Sequence, residues 1–318
     1  MSRNVLITGI GGDIAQGVAT ILRECRPDLR LIGVDIHREH GGHRFVDFFT
    51  TVPAARHPFY REALKAVAEE QQADLVIPMS EAELAVLRPF TELMPGVSWL
   101  FAGSRVVDAG LDKLATANAL SSLGISVPRT VPVAEGAVGY PCILKNRFGS
   151  GSRAVFIVND AAAAAYLAPR YPDAVFQELL LPAEREVTCA VYRTRQGAVT
   201  TLLMQRRLTG GLTGWARVID DEDAAEMCQR IAEGLDLRGS MNVQMRLTED
   251  GPRVFEINPR FSSTVLMRHR LGFTDVIWAL EEAEGKHVEF PELPKNQILV
   301  RVQDAMVFTD PYEAEIKK

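Results

Sequence analysis

Only four cysteines occur among the 318 residues, Cys25, Cys142, Cys189 and Cys228, and no two of them form a C-x-x-C pair. A disulfide framework and a cysteine zinc site are thereby excluded, and a reducing compartment fits best. No apolar run approaches the ~18 residues that a membrane-crossing helix needs, and MSRNVLITG runs straight into a strand-like segment, so a soluble, cytoplasmic protein without membrane contact is expected. No basic face or tail exists either. Acids and bases are interspersed for a net charge of −6, which argues against nucleic acid as a partner and leaves anionic ligands to local basic pockets. Neither an internal repeat nor a low-complexity linker is present, and the alanine run 161–165 reads as helix. What remains is a chain that is 47% hydrophobic and long enough for two or three domains with a large core.

Residues 1–105 alternate β-branched runs with helical patterns: VLIT from Val5, a helix from Asp13, LIGVD from Leu31, a helix from Phe59, LVIPM from Leu75, a helix from Glu81 and WLFAG from Trp99. This rhythm predicts an α/β unit, a parallel sheet covered by helices. Leu114, Ala117 and Leu120 predict a helix over 112–123 that stops at Gly124. From Pro128 to Leu181 the order strand, Gly-rich loop, strand, Ala-rich helix, strand predicts a small α+β unit. Longer strands follow (EVTCAVYR, VTTLLMQRR, WARVID), then an amphipathic helix with Ala224, Met227, Cys228, Ile231, Ala232 and Leu235 on one face, then MNVQMRL and RVFEIN.

Three clusters carry chemistry. The first, GIGGDIAQG with Gly9, Gly11, Gly12 and Gly17, lies between a strand and a helix, where backbone N–H groups can approach an anion. Asp35 ends the next strand, where a dinucleotide-binding fold keeps its ribose acid, but the glycine spacing departs from G-x-G-x-x-G. No tyrosine has a lysine four positions on, as a short-chain dehydrogenase would require. Tight-turn packing or an anion pocket is the plainer reading. The second cluster, PCILKNRFGSGSRAVFIV, puts Lys145 at a strand end before Gly149, Ser150, Gly151 and Ser152, a loop able to fold over triphosphate oxygens. The third, NVQMRLTEDGPRVFEINPRFSS, presents Gln244, Glu256 and Asn258 from one face of two neighbouring strands, since residues two apart point the same way. Such hard oxygen ligands suit magnesium, and Arg260 follows on that face for a phosphoryl group.

This ordered set resembles the ATP-grasp superfamily, and within it the stand-alone relatives of the carbamoyl phosphate synthase large subunit. The resemblance implies a Rossmann-like pre-ATP-grasp domain over 1–105, an ATP-grasp small subdomain over 106–182 and a C-terminal subdomain over 183–318 that carries the metal site. It further implies that Lys113 and Lys145 bind phosphate, and that VFQELLLPAEREVTCAV reads the nucleotide through Gln177, Glu178, Leu179 and Leu180. In that stretch Glu178 would receive the adenine amino group and Glu186 would hold the ribose. Gln244, Glu256 and Asn258 would hold two magnesium ions, for which manganese can substitute, and Arg260 would contact the transferring phosphate. In similar ligases the stretch MQRRLTGGLTGWARV lies over the acceptor side, so Arg207 and Arg217 are expected there as catalytic anchors, whereas a solvated role is equally open for Arg206. Ser262, Ser263 and Thr264 read as a cap for the next helix.

The activity so implied is ATP-dependent joining of a small-molecule carboxylate to an amine or thiol through an acyl phosphate, with release of ADP and phosphate, by an enzyme that can form a homodimer. Alternative readings are a carbamoyl phosphate synthase-like or carboxylase-like activity, a nicotinamide-dependent oxidoreductase and a non-catalytic nucleotide-binding module.

Overall fold

The computed structural model describes residues 3–87, 90–149, 155–302 and 305–308, and its strands form three sheets that follow one another along the chain. The first is wholly parallel. Strands β1 (Asn4–Ile7), β2 (Arg30–Asp35), β3 (Phe48–Thr51), β4 (Leu75–Ile77) and β5 (Ser98–Trp99) lie in the order β3-β2-β1-β4-β5. Their near-continuous apolar runs leave Val5, Leu6, Ile7, Leu31 and Ile32 fully buried, as a sheet covered on both faces requires. The helix Asp13–Cys25 covers one face with Val18, Ile21 and Leu22, and the helix Tyr60–Glu70 covers the other with Tyr60 and Leu64. The strand β3, with all four residues half-buried, gives no hydrophobic run and is absent from the sequence expectation.

A second, antiparallel sheet orders β6 (Thr130–Pro132), β7 (Cys142–Asn146), β8 (Val155–Val158) and β9 (Ala174–Glu178) as β6-β9-β7-β8. It is preceded by the helix Lys113–Ser122, whose start is fixed by Asp112: its carboxylate accepts from the Leu114 N–H at 2.9 Å and is gripped by both arms of Arg147. Leu144 and Phe176 turn inward to the small core of this unit, so Lys145 and Gln177 face the opposite way.

The third sheet contains β10 (Glu186–Arg193), β11 (Val199–Thr209), β12 (Leu212–Val218), β13 (Gly239–Thr248), β14 (Gly251–Asn258) and the short β15 (Ile298–Val300) in the order β14-β13-β10-β11-β12-β15. One face packs on the helix Glu222–Gly234 through Cys189, Val191, Val243, Met245, Cys228 and Ile231. The other face is divided. Ala190, Tyr192, Leu202 and Met204 merge with the core under the helices Asp13–Cys25 and Asp275–Ala283, while its far end carries Glu186, Gln244, Glu256 and Asn258. Among the described residues no helix is long and apolar enough to cross a membrane.

Candidate active site

The polar end of the third sheet is built by register. Gln244 lies opposite Glu256 and Asn242 opposite Asn258, so the alternation of both strands brings these side chains to one face. The register then slips: Gln244 pairs with Glu256 but Met245 with Val254, which leaves Phe255 as the extra residue of a β-bulge. Its carbonyl accepts from Lys145 Nζ at 3.2 Å. That bond ties the second sheet to the third across a cleft, with the Phe255 ring centroid 5.6 Å from the same ammonium.

Lys145 is 6% exposed and forms no ion pair among the described residues. Burial pushes its ammonium down to about 8, the nearby Lys113 adds to the fall, and Glu256 and Glu186 only partly oppose it. Lys113 donates to the Gly149 carbonyl at 2.7 Å, at the start of the Gly/Ser loop. Ser150, Gly151 and Ser152 lie outside the described residues.

Glu186 is tightly held. Arg206 reaches it at 2.8 Å and Arg246 at 2.6 Å, and the same Arg206 donates to the Gln244 side-chain oxygen at 2.9 Å. Both carboxylate oxygens expected to hold a ribose are thus engaged by guanidinium groups. Glu178 is committed as well: Arg253 grips both its oxygens, at 2.5 and 2.7 Å, and holds its carboxyl below the usual range against the effect of burial. Both oxygens of that carboxylate are thus engaged by Arg253, and the hinge adds backbone acceptors, with the Leu180 carbonyl accepting from Arg246 at 3.0 Å. Gln177 shares the face of Lys145 and donates to Thr130 Oγ1 at 2.8 Å, and Leu179 follows it into the hinge.

Arg207 and Arg217 are not on this face. Arg207 pairs with Trp215 and Arg217 with Gln205, whereas Arg206 pairs with Ala216, so the two expected anchors point away from Glu186 and Gln244. Both are exposed and stack on the Trp215 ring, at 4.9 and 5.6 Å. Arg206 is the inward one. The sequence could not decide between neighbours because Leu203 and Met204 are both buried, which removes the alternation that would set the phase.

Arg260 ends the face. It donates to Glu81 at 3.2 Å, and Glu81, buried at the start of a helix after β4, has its carboxyl pushed up by burial and by Glu256 although Arg260 opposes this. Glu81, Arg246 and Arg253 carry no local signal in the sequence, because they acquire their partners only through long-range packing. Ser262 and Thr264 do not cap the following helix by side chain; their hydroxyls lie at 2.8 and 3.4 Å from Arg268, which is itself wholly buried against Asp275.

The donor set fits a magnesium ion shared with phosphates. The Glu256 carboxylate forms no hydrogen bond or ion pair among the described residues, and Asn258 keeps a buried side-chain nitrogen without a partner. Rotating that amide by half a turn presents its oxygen instead. One free carboxylate with two amide oxygens suits an ion that takes the rest of its shell from phosphate and water. No group of three or more His, Cys, Asp or Glu occurs among the described residues, so a cage made of protein alone is not what is built.

The glycine loop is filled by its own chain. The Asp35 carboxylate accepts from the Gly11, Ile36 and His37 N–H groups at 2.8, 2.7 and 3.3 Å, taking the anion's place at the helix start. A Cβ on Gly11 would come within 2.4 Å of the His40 ring. Gly11 serves close packing, and both oxygens of Asp35 accept backbone N–H groups.

The family model for an ATP-grasp in the biosynthetic pathway with Ter operon matches residues 170–306. The ADP complex of an N5-carboxyaminoimidazole ribonucleotide synthetase superposes over 94% of this chain and 81% of its own, with a TM-score of 0.76 at 18% identity. The Staphylococcus aureus N5-carboxyaminoimidazole synthetase with ADP gives 0.75 at 17%, over 94% and 81% of the two chains. A biotin carboxylase complex from Campylobacter jejuni gives 0.71 at 17%, over 91% and 72%. The chain has the fold of these structures, and the ATP-grasp family model covers its residues 170–306. No curated protein matches it in sequence. In the ATP-grasp fold now assigned, the cleft bridged by Lys145 lies between the two antiparallel sheets, next to the parallel unit.

Proposed function

We propose that this protein is an ATP-dependent, ADP-forming ligase that activates a small-molecule carboxylate as an acyl phosphate and passes the acyl group to an amine or thiol. One observation carries the reading: the cleft holds a buried cation, Lys145, and a carboxylate, Glu256, neither with an ion-pair partner among the described residues. A polyphosphate with a divalent cation completes both. The structural relatives, among them a synthetase in complex with ADP and a biotin carboxylase in complex with a β,γ-modified ATP, agree with this chemistry. The division 1–105, 106–182 and 183–318 is supported by each sheet drawing its strands from within one of these ranges.

Lys145 and Lys113 place positive charge at the phosphates, and Arg260 at the transferring phosphoryl group. Glu256, Asn258 and Gln244 would hold magnesium, which would supply further neutralisation of phosphoryl charge. A carboxylate oxygen bonds to the γ-phosphorus as the β–γ bridging bond breaks, its electron pair leaving with ADP. The amine or thiol then attacks the acyl carbon, phosphate departs and the nucleophile loses its proton to solvent. The protein contributes alignment and charge rather than a covalent intermediate. Arg206 orients Gln244 and Glu186 together and so fixes the width of the site.

The test is ADP and phosphate release with ATP and magnesium across a panel of carboxylates with and without amines, with Glu256→Ala as control. Release that requires one carboxylate and falls at least a hundredfold in the control supports the reading. Nucleotide binding without turnover on any pair favours the non-catalytic module.

A further inference from the structure

Beyond Arg260 the cleft opens into a cavity of about 580 Å³, within the range that encloses a small molecule. One wall is formed at the carboxyl ends of β4 and β5, by Pro78 and Phe101, where open parallel sheets receive ligands. The other comes from the ends of β10 and β13 and presents Arg193, Arg195 and Arg238. Register explains the grouping: Arg193 pairs with Gly239, so the last residue of one strand and the first of its neighbour bring Arg193 and Arg238 to the same edge.

Four arginines line this space with two acids, and one of the four, Arg260, is paired with a third acid, Glu81. Asp236 is divided between Arg193 at 3.0 Å and Arg238 at 3.4 Å. Glu282 is turned into the wall, one oxygen accepting from the Tyr192 hydroxyl at 2.9 Å and the other from the Arg195 backbone N–H at 2.7 Å. Two donors are left over. The Arg195 guanidinium forms no ion pair among the described residues, and Arg193 Nε is buried without an acceptor. Leaving such a group unpaired costs free energy that an oxyanion would recover.

We propose that this cavity is the acceptor site, and that its ligand carries a second anionic group, a carboxylate or phosphate, bound by Arg193, Arg195 and Arg238 at the end remote from Arg260. The proposal rests on the ligase reading only in taking Arg260 as the reacting end. A ligand with one anionic group at each end spans the cavity, with one end at Arg260 for reaction and the other fixed by the arginine edge. The surplus of cations favours dianions over neutral molecules of equal size, and exposed Arg195 and Arg238 make the edge accessible.

Calorimetric titration of the full chain, with and without magnesium and a non-hydrolysable ATP analogue, tests this with succinate, glycerol 3-phosphate and the neutral succinamide. Tighter binding of one of the two anions distinguishes carboxylate from phosphate. At least one anion should bind, with the diamide at least tenfold weaker. Arg195→Gln/Arg238→Gln should weaken the anion at least tenfold, Arg195→Lys/Arg238→Lys should retain most of it, and nucleotide affinity should stay unchanged in both. Equal binding of the diamide, undiminished binding to the Gln variant, or no binding of either anion overturns the proposal. If the nucleotide analogue does not bind, the ligase reading fails, while the nucleotide-free titration still decides the cavity.

Discussion

Replacing Lys145 by methionine should stabilise the ligand-free protein, although it removes a residue of the proposed nucleotide site. Lys145 falls from the usual 10.5 to about 8 in the folded chain. At ~1.4 kcal/mol for each unit, holding its charge in the fold costs ~3 kcal/mol near pH 7. Methionine keeps most of the volume but forfeits the hydrogen bond to the Phe255 carbonyl, worth ~1 kcal/mol. A net gain of ~2 kcal/mol remains. Because the folded value lies below the unfolded one, the chain binds more protons unfolded between the two. The penalty is therefore present in full below pH 8 and disappears as the pH rises towards 10.5. Urea unfolding of wild type and Lys145→Met should then differ by ~2 kcal/mol at pH 7, and that advantage should be lost by pH 10. With magnesium and ATP the order should reverse, since polyphosphate stabilises the charged lysine and the variant binds it poorly. A variant less stable than wild type at pH 7, or an advantage independent of pH, would refute the account of Lys145 as an uncompensated buried cation.

Arg206→Met should lower ADP release at least tenfold by freeing Gln244 and Glu186, whereas Arg207→Ala and Arg217→Ala, on the far face, should stay within about twofold; parallel steady-state assays check this. Arg268→Met strands the buried Asp275 carboxylate and should cost ~3–5 kcal/mol in urea unfolding, much of it recovered in Arg268→Met/Asp275→Leu. Gly11→Ala drives a methyl into His40 and should cost ~1–3 kcal/mol without altering the KM for ATP, and the wild type should show no NAD binding by titration.

Legibility in the sequence followed periodicity. The strands β1, β2 and β4 announce themselves as apolar runs, and Gln244, Glu256 and Asn258 share a face because β13 and β14 keep a strict alternation up to the bulge. The strand β11 is buried on both faces at Leu202, Leu203 and Met204, so the phase of Arg206 and Arg207 just beyond them could not be told from the sequence. Asp35 illustrates a different limit. Its position after β2 suits a ribose-binding acid or a structural cap, and only the three N–H groups around it decide for the cap. Partners such as Arg253 for Glu178, 75 residues apart, are invisible to any local pattern.

Opposite charges facing each other across a cleft ordinarily collapse into a pair, yet Lys145 and Glu256 do not. The bulge at Phe255 supplies the reason. It turns a carbonyl out of the ladder, and the ammonium is held there instead of at the carboxylate one residue further on. Glu186, which could compete for the lysine, is taken by two arginines, and Glu81 by Arg260. Glu186 and Glu81 are thus neutralised by guanidinium groups with fixed geometry, while the Lys145 amine and the Glu256 carboxylate are kept apart. Sealing that gap with an ion pair would stabilise the empty fold and abolish the place where a polyanion and its cation belong.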